Sequence, residues 1–138
     1  AVINSATLAN QLKQTCIASC QTIVGGTDED AKRISIREYV KTYNQLLAQN
    51  MDLSSLSKLQ EIQKSQESEL ANLGITIQED NSLLLDESKI QDSTFCNTYD
   101  MLFGEDSSYV SSINQACDKT VNDVLKADKL GIKLDIGI

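Results

Sequence analysis

Four cysteines, Cys16, Cys20, Cys96 and Cys117, are the residues of this chain that could support covalent or metal chemistry. A ribbon-type zinc site wants two tight Cys-x₂₋₄-Cys knuckles. Here Cys16 and Cys20 stand one helical turn apart, and Cys96 and Cys117 are widely separated. Free cysteine packs as a small apolar residue, and Cys16, Cys20 and Cys117 fall on apolar stripes of helical period. Core thiols are therefore the first reading, disulfides joining different helices the second, and a metal site the third. The chain has no His, which removes every nucleophile activated by imidazole.

The carboxylate clusters read as caps and turns. Thr27-Asp28-Glu29-Asp30 lacks the alternating ligands and late bidentate Glu of a calcium loop, and suits a helix start. Glu79-Asp80 and Asp86-Glu87 could pose as paired acids, but nothing in their spacing sets them across one cleft as glycoside hydrolysis requires. No GK[ST] follows Gly25-Gly26, so that pair is no phosphate loop. Tyr39 and Tyr43, one turn apart, are expected in a helical core with their hydroxyls at its rim. No catalytic, cofactor-binding or metal site emerges, no cofactor is implied, and the expectation is that the chain is not an enzyme.

The elements that carry these residues are mostly helices. Leu8, Leu12, Cys16, Cys20 and Ile23/Val24 form one stripe, ending at Gly25-Gly26. A second helix, to about residue 50, presents Ile36, Tyr39, Val40, Tyr43, Leu46 and Leu47. A third, capped by Asp52, Ser54 or Ser55, carries Leu56, Leu59, Ile62, Gln66, Leu70 and Leu73 until Gly74 stops it as a left-handed residue. The β-prone runs 75–78 and 82–85 flank Glu79-Asp80-Asn81, which predicts a hairpin over 75–86 with positive φ at Asn81. Asp86 then caps a short helix carrying Ile90, and Asn97 or Thr98 opens another with Tyr99, Leu102 and Phe103. A last long helix, opened by Asp106, Ser107 or Ser108, has the seam Val110, Ile113, Cys117, Val121 and Val124, with coiled-coil spacing.

Beyond it, Leu130, Ile132, Leu134, Ile136 and Ile138 put aliphatic side chains on one side of a short C-terminal strand. They are the candidate interface: such a strand either joins the 75–86 hairpin or pairs between subunits. The fold expected is mainly α, a single domain over residues 1–138 built as a bundle of three to four long helices with one small hairpin.

Composition narrows the partners. Asp and Glu number 20 against 12 Lys and Arg, a net charge of −8, so no broad basic surface exists to neutralise nucleic-acid phosphates or an anionic membrane. No apolar run reaches the length of a membrane span, and the opening residues lack the basic start and apolar core of a secretory signal. The first residue is Ala rather than Met, so a processed form or a fragment is expected. Proline and Trp are absent, which leaves an aliphatic core and no aromatic platform for bases or sugars.

Two segments carry a family pattern. IREYVKTYNQLLAQ, residues 36–49, resembles an FVxxYN helix, with Tyr39, Val40, Tyr43 and Asn44 at the motif positions. Downstream, Leu73, Gly74, Ile75, Leu83, Leu85, Asp86, Glu87, Lys89, Ile90, Leu102 and Phe103 fit a pattern of LGI, a variable turn, LxLDExKL, an acidic spacer and LF. Together, over roughly residues 36–125, they resemble the helical part of the flagellar filament-capping protein, also called hook-associated protein 2. That resemblance implies a non-enzymatic protein that self-associates at a filament tip, outside the cell, after export without a cleaved signal. The alternative from the residues alone is a compact helical module that docks a protein partner, in the cytoplasm or at a surface.

Overall fold

The computed structural model describes the backbone of residues 2–24, 29–48, 54–104 and 107–129, and the side chains of 6–18, 29–48, 57–104 and 107–126. Residues 25–28, the Cys20 side chain and the whole of 130–138 lie outside these, so the caps at Thr27 and Asp52, the placement of Cys20 and the C-terminal strand do too. Among the described residues the chain is mostly helical, with one small antiparallel sheet.

Helix α1 spans Val2–Val24, α2 Glu29–Leu47, α3 Ser54–Ser65 and α4 Glu67–Asn72. Strands β1 (Ile75–Ile77) and β2 (Leu83–Leu85) follow, then a 3₁₀ turn over Glu87–Ile90, α5 (Phe95–Phe103) and α6 (Ser108–Lys129). The most extensive packing is of α1 on α6 and on α2, and α3 closes against α6. Small Ala6 and Ala9, with Leu12 and Cys16, make the fully covered stripe of α1. An exposed Lys13–Asp118 pair at 2.8 Å joins α1 to α6.

Two helix boundaries and one buried face differ from the sequence expectation. The third helix is broken at Gln66, whose φ of −114° and ψ of 23° leave the helical region. Ser65 donates its hydroxyl to the Ile62 carbonyl at 2.7 Å, a local bond that competes with the helical ladder. Helix α5 starts at Phe95, before Asn97, because the buried Phe95 ring joins the core stripe of Tyr99, Leu102 and Phe103. On α6 the buried stripe is Tyr109, Ile113, Ala116, Cys117, Thr120 and Val124, whereas Val110 and Val121 are only half-buried. The seam is rotated toward Tyr109 and Thr120 because polar side chains can enter a core when they find partners there. Thr120 does so, donating to the Ala116 carbonyl at 2.8 Å.

Local signals that rest on backbone geometry match the structure. Gly74 has φ of +84°, and a Cβ there would come within 2.9 Å of both the Asp86 carbonyl oxygen and Lys89 Cβ. Asn81 has φ of 70° in the hairpin turn. Asp86 caps the 3₁₀ turn by accepting from the Ser88 N–H at 3.0 Å, and Ser107 Oγ accepts from the Val110 N–H at 3.3 Å to start α6.

The hairpin pairs Ile75 with Leu85, Thr76 with Leu84 and Ile77 with Leu83. Ile75 and Leu83 are buried, Ile77 and Leu85 half-buried, and Leu84 stands in solvent. Ile75 and Leu83 are thus the residues that anchor the hairpin most fully. Leu83→Ala should cost about 2–4 kcal/mol, and Leu84→Ala should stay within about 0.5 kcal/mol. Urea midpoints of the two variants check this; equal losses would mean that the hairpin does not rest on the helices by this face.

Candidate functional site

The outer side of α2 is a ladder of polar side chains that grips the chain from β2 to α5. Asn44 Nδ2 donates to the Leu83 carbonyl at 2.8 Å, and Asn44 Oδ1 accepts from the Leu83 N–H at 2.8 Å. The amide thereby acts as one more strand residue beside β2. Two turns earlier, Arg37 donates to both carboxylate oxygens of Glu87, the shortest bond being 2.8 Å. That ion pair holds the Glu87 carboxyl below its usual range.

One turn earlier again, Arg33 donates to the carbonyls of Ile90 and Gln91, at the carbonyl-bearing end of the 3₁₀ turn. Its guanidinium is kept in place by Glu29 and Asp30 and lies 5.4 Å over the Phe95 ring. Lys32 reaches Asp100 at 2.8 Å and stands 5.7 Å from the Tyr99 ring centre. Its hydrogen bond to Asp100 raises its pKa.

The inner side of α2 reaches a buried polar ring. Gln63 Nε2 donates to the Tyr39 hydroxyl at 2.7 Å, and the Tyr109 hydroxyl donates to Gln63 Oε1 at 2.7 Å. The Tyr109 proton is committed to an amide oxygen that can only accept, so Tyr39 supplies the hydrogen of the short Tyr39–Tyr109 bond. Three groups from α2, α3 and α6 thus each donate once and accept once. Phe103 meets Tyr39 and Tyr109 edge-on, at ring-centre separations of 5.5 and 5.9 Å.

The tyrosine hydroxyls are therefore in the core and not at its rim, which corrects the sequence expectation. The sequence signal for Tyr39 was its stripe; for Gln63 and Tyr109 there was none beyond their helical positions, since each looks like a surface residue next to an apolar one. The Tyr43 hydroxyl is also buried, and it has no hydrogen-bond partner among the described residues.

These groups are poorly suited to proton transfer or nucleophilic attack at neutral pH. Burial pushes the Tyr39, Tyr43 and Tyr109 phenols up, and pushes the Cys16 thiol up with its neighbour Cys117 adding to the effect. Cys117 is pushed up to about 12 by burial. Cys16, Cys96 and Cys117 are free thiols, the first and last fully buried and Cys96 half-buried on α5. Among the described residues no group of three or more His, Cys, Asp or Glu is placed to hold a metal ion, and no helix is long and apolar enough to cross a membrane.

The carboxylates singled out in the sequence are dispersed. Asp86 caps, Glu87 pairs with Arg37, and Asp80 accepts from the Ser82 N–H at 3.0 Å in the hairpin turn. The candidate interface at Leu130, Ile132, Leu134, Ile136 and Ile138 lies outside the described residues.

Shallow surface grooves complete the picture. One of about 330 Å³ between α1 and α2 is lined by Gln14, Thr15, Ala18, Ile34, Ser35 and Glu38. Another of about 310 Å³ runs past Gln66, Glu69, Met101, Leu102 and Tyr109. Ile34 and Met101 are exposed apolar residues at these grooves.

Compared with known protein families, curated proteins and solved structures, the chain matches none.

Two outcomes test the site. Tyr39→Phe breaks the ring and strands a buried amide donor, and should cost about 1–3 kcal/mol, whereas Tyr43→Phe removes a hydroxyl without a partner and should be neutral or stabilising. Thermal melts of both variants check this. The buried thiols and phenols favour the neutral form when folded, so the stability they contribute is complete below the unfolded thiol range near about 8.5 and is lost as pH rises past it. A urea midpoint that holds from about pH 7 to 8 and falls above about 9 is expected; a midpoint flat to about pH 11 would contradict the burial.

Proposed function

We propose that the chain is a non-enzymatic assembly or interaction protein of the type represented by the helical part of a flagellar filament cap. Its framework is a bundle of α1, α2 and α6 closed by α3, an acidic body that works outside the cell by contact with other protein subunits.

The observation that carries the reading is the Asn44 clamp. The two segments that resemble the cap family are far apart in sequence, and Asn44 at the end of the first holds Leu83 in the second by two hydrogen bonds. Arg37 and Tyr39 of the first segment likewise meet Glu87 and Phe103 of the second. Their contact makes the two segments one packed unit, as the resemblance implies for a helical framework. The polar groups at this junction are used on one another, which fits a scaffold better than a reaction centre.

A second reading, a compact module that docks a partner helix or strand, is favoured by the groove beside the exposed Ile34. Sedimentation velocity over a wide concentration range separates the two. Growth into a ring or a larger closed assembly supports the cap-like reading; a monomer at every concentration sinks it and leaves the module.

A further inference from the structure

The valley where α3 and α4 run along α6 carries opposite charges at its two ends. Lys58 lines a groove there with Ser112, Gln115, Ala116 and Lys119, whereas Gln66 and Glu69 line another with Ser107, Ser108 and Tyr109. Between them Gln63 meets Tyr109 at 2.7 Å. Rising numbers on α3 and α4 thus face falling numbers on α6, so the two grooves follow one another along a single antiparallel valley. Ser108 and Lys119 lie on the same continuous helix, about 16 Å apart at 1.5 Å per residue.

Each groove holds charge of one sign. The groove at Lys58 and Lys119, about 190 Å³, has no carboxylate in its lining, and the groove at Glu69, about 310 Å³, has no cation. Lys119 shares its charge with Asp123 at 3.2 Å. Lys58 and Glu69 form no ion pair among the described residues. The acidic groove also presents Met101, 55% exposed. At the basic groove, small Ala116 and the aliphatic stems of the two lysines offer a surface on which a flexible thioether packs well.

A surface with a feature at one end and its complement at the other fits a second copy of itself turned end for end. A twofold axis through the middle of the valley sets the basic groove of each copy on the acidic groove of the other, and every contact is then made twice. The parallel arrangement would set like charges together, which is strongly disfavoured. We propose that two copies of this chain pair through this valley, Lys58 of each against Glu69 of the other, with Met101 seated on the basic groove. The pairing rests on the reading of the chain as a self-associating protein and gives that reading a surface.

Sedimentation velocity of charge-reversed chains over a wide concentration range tests it. Lys58→Glu and Glu69→Lys each put like charges in both halves of the contact, and each alone should weaken association on the order of ten-fold or more. The second variant is the sharper, because it moves the net charge from −8 to −8 + 2 = −6 and would strengthen an association governed by overall repulsion alone. Mixed in equal amounts, the two variants should recover to within about three-fold of the unaltered chain, since both halves of the contact again join opposite charges. Should a reversal lower the melting temperature, Met101→Lys, which aims a cation at the lysines of the second copy, should weaken association in its place. Single variants that associate like the unaltered chain overturn the pairing and leave self-association to another surface. Weakened single variants whose mixture fails to recover also overturn it, since the two charges then do not meet. A monomer at every concentration overturns the pairing and the assembly reading together.

Discussion

The closed ring of Tyr39, Gln63 and Tyr109 is the constraint on which the rest of the packing depends. Leaving any one of these groups buried without its partners would cost more than a typical hydrogen bond contributes. The ring therefore fixes the rotation of α2, α3 and α6 about their axes together. The rotated seam of α6, which buries Tyr109 in place of Val110, follows from it. The break at Gln66 comes just after Gln63, so the chain can aim Gln63 at the phenols and still return Leu70 and Leu73 to the core through α4.

Around the ring lies a layer of aromatic side chains, Phe95, Tyr99 and Phe103 of α5 with Tyr39 and Tyr109, meeting edge-on or tilted. A chain with no Trp has placed most of its aromatic area in one place. Helix α2 connects this layer to the surface: its inner face supplies Tyr39 and Tyr43, and its outer face holds Leu83, Glu87, Ile90 and Gln91 in register. The segment from β2 to α5 is positioned by that outer face more than by any regular structure of its own.

Features set by a single residue's backbone were legible in the sequence. Gly74, Asn81 and the Asp86 cap each need one conformation or one short-range acceptor, and residue type alone specifies it. The apolar stripe placed α2 for the same reason, since period and burial coincide there, whereas on α1 Ala6 and Ala9 join Leu12 and Cys16 in the covered face and Leu8 is half-buried. Partners chosen across the fold were not legible. Gln63, Tyr109 and Thr120 are polar and lie beside apolar residues, so periodicity assigns them to the surface until their partners are known. Likewise Asn44 was visible as a motif position, but its two bonds to Leu83 depend on a tertiary meeting that no local pattern encodes. The candidate interface at Leu130 to Ile138 rests on alternation alone.

The ring also sets an order of events in biosynthesis. Its members come from positions 39, 63 and 109, so a nascent chain that has released α2 and α3 still holds a phenol and an amide whose final partner is inside the ribosome. Until α6 emerges, burying Tyr39 and Gln63 gives a polar interior that is only partly satisfied, which favours a loose state over a committed one. The interior is in this sense locked late: α6, made after α2 and α3, is the helix that makes their shared interior stable.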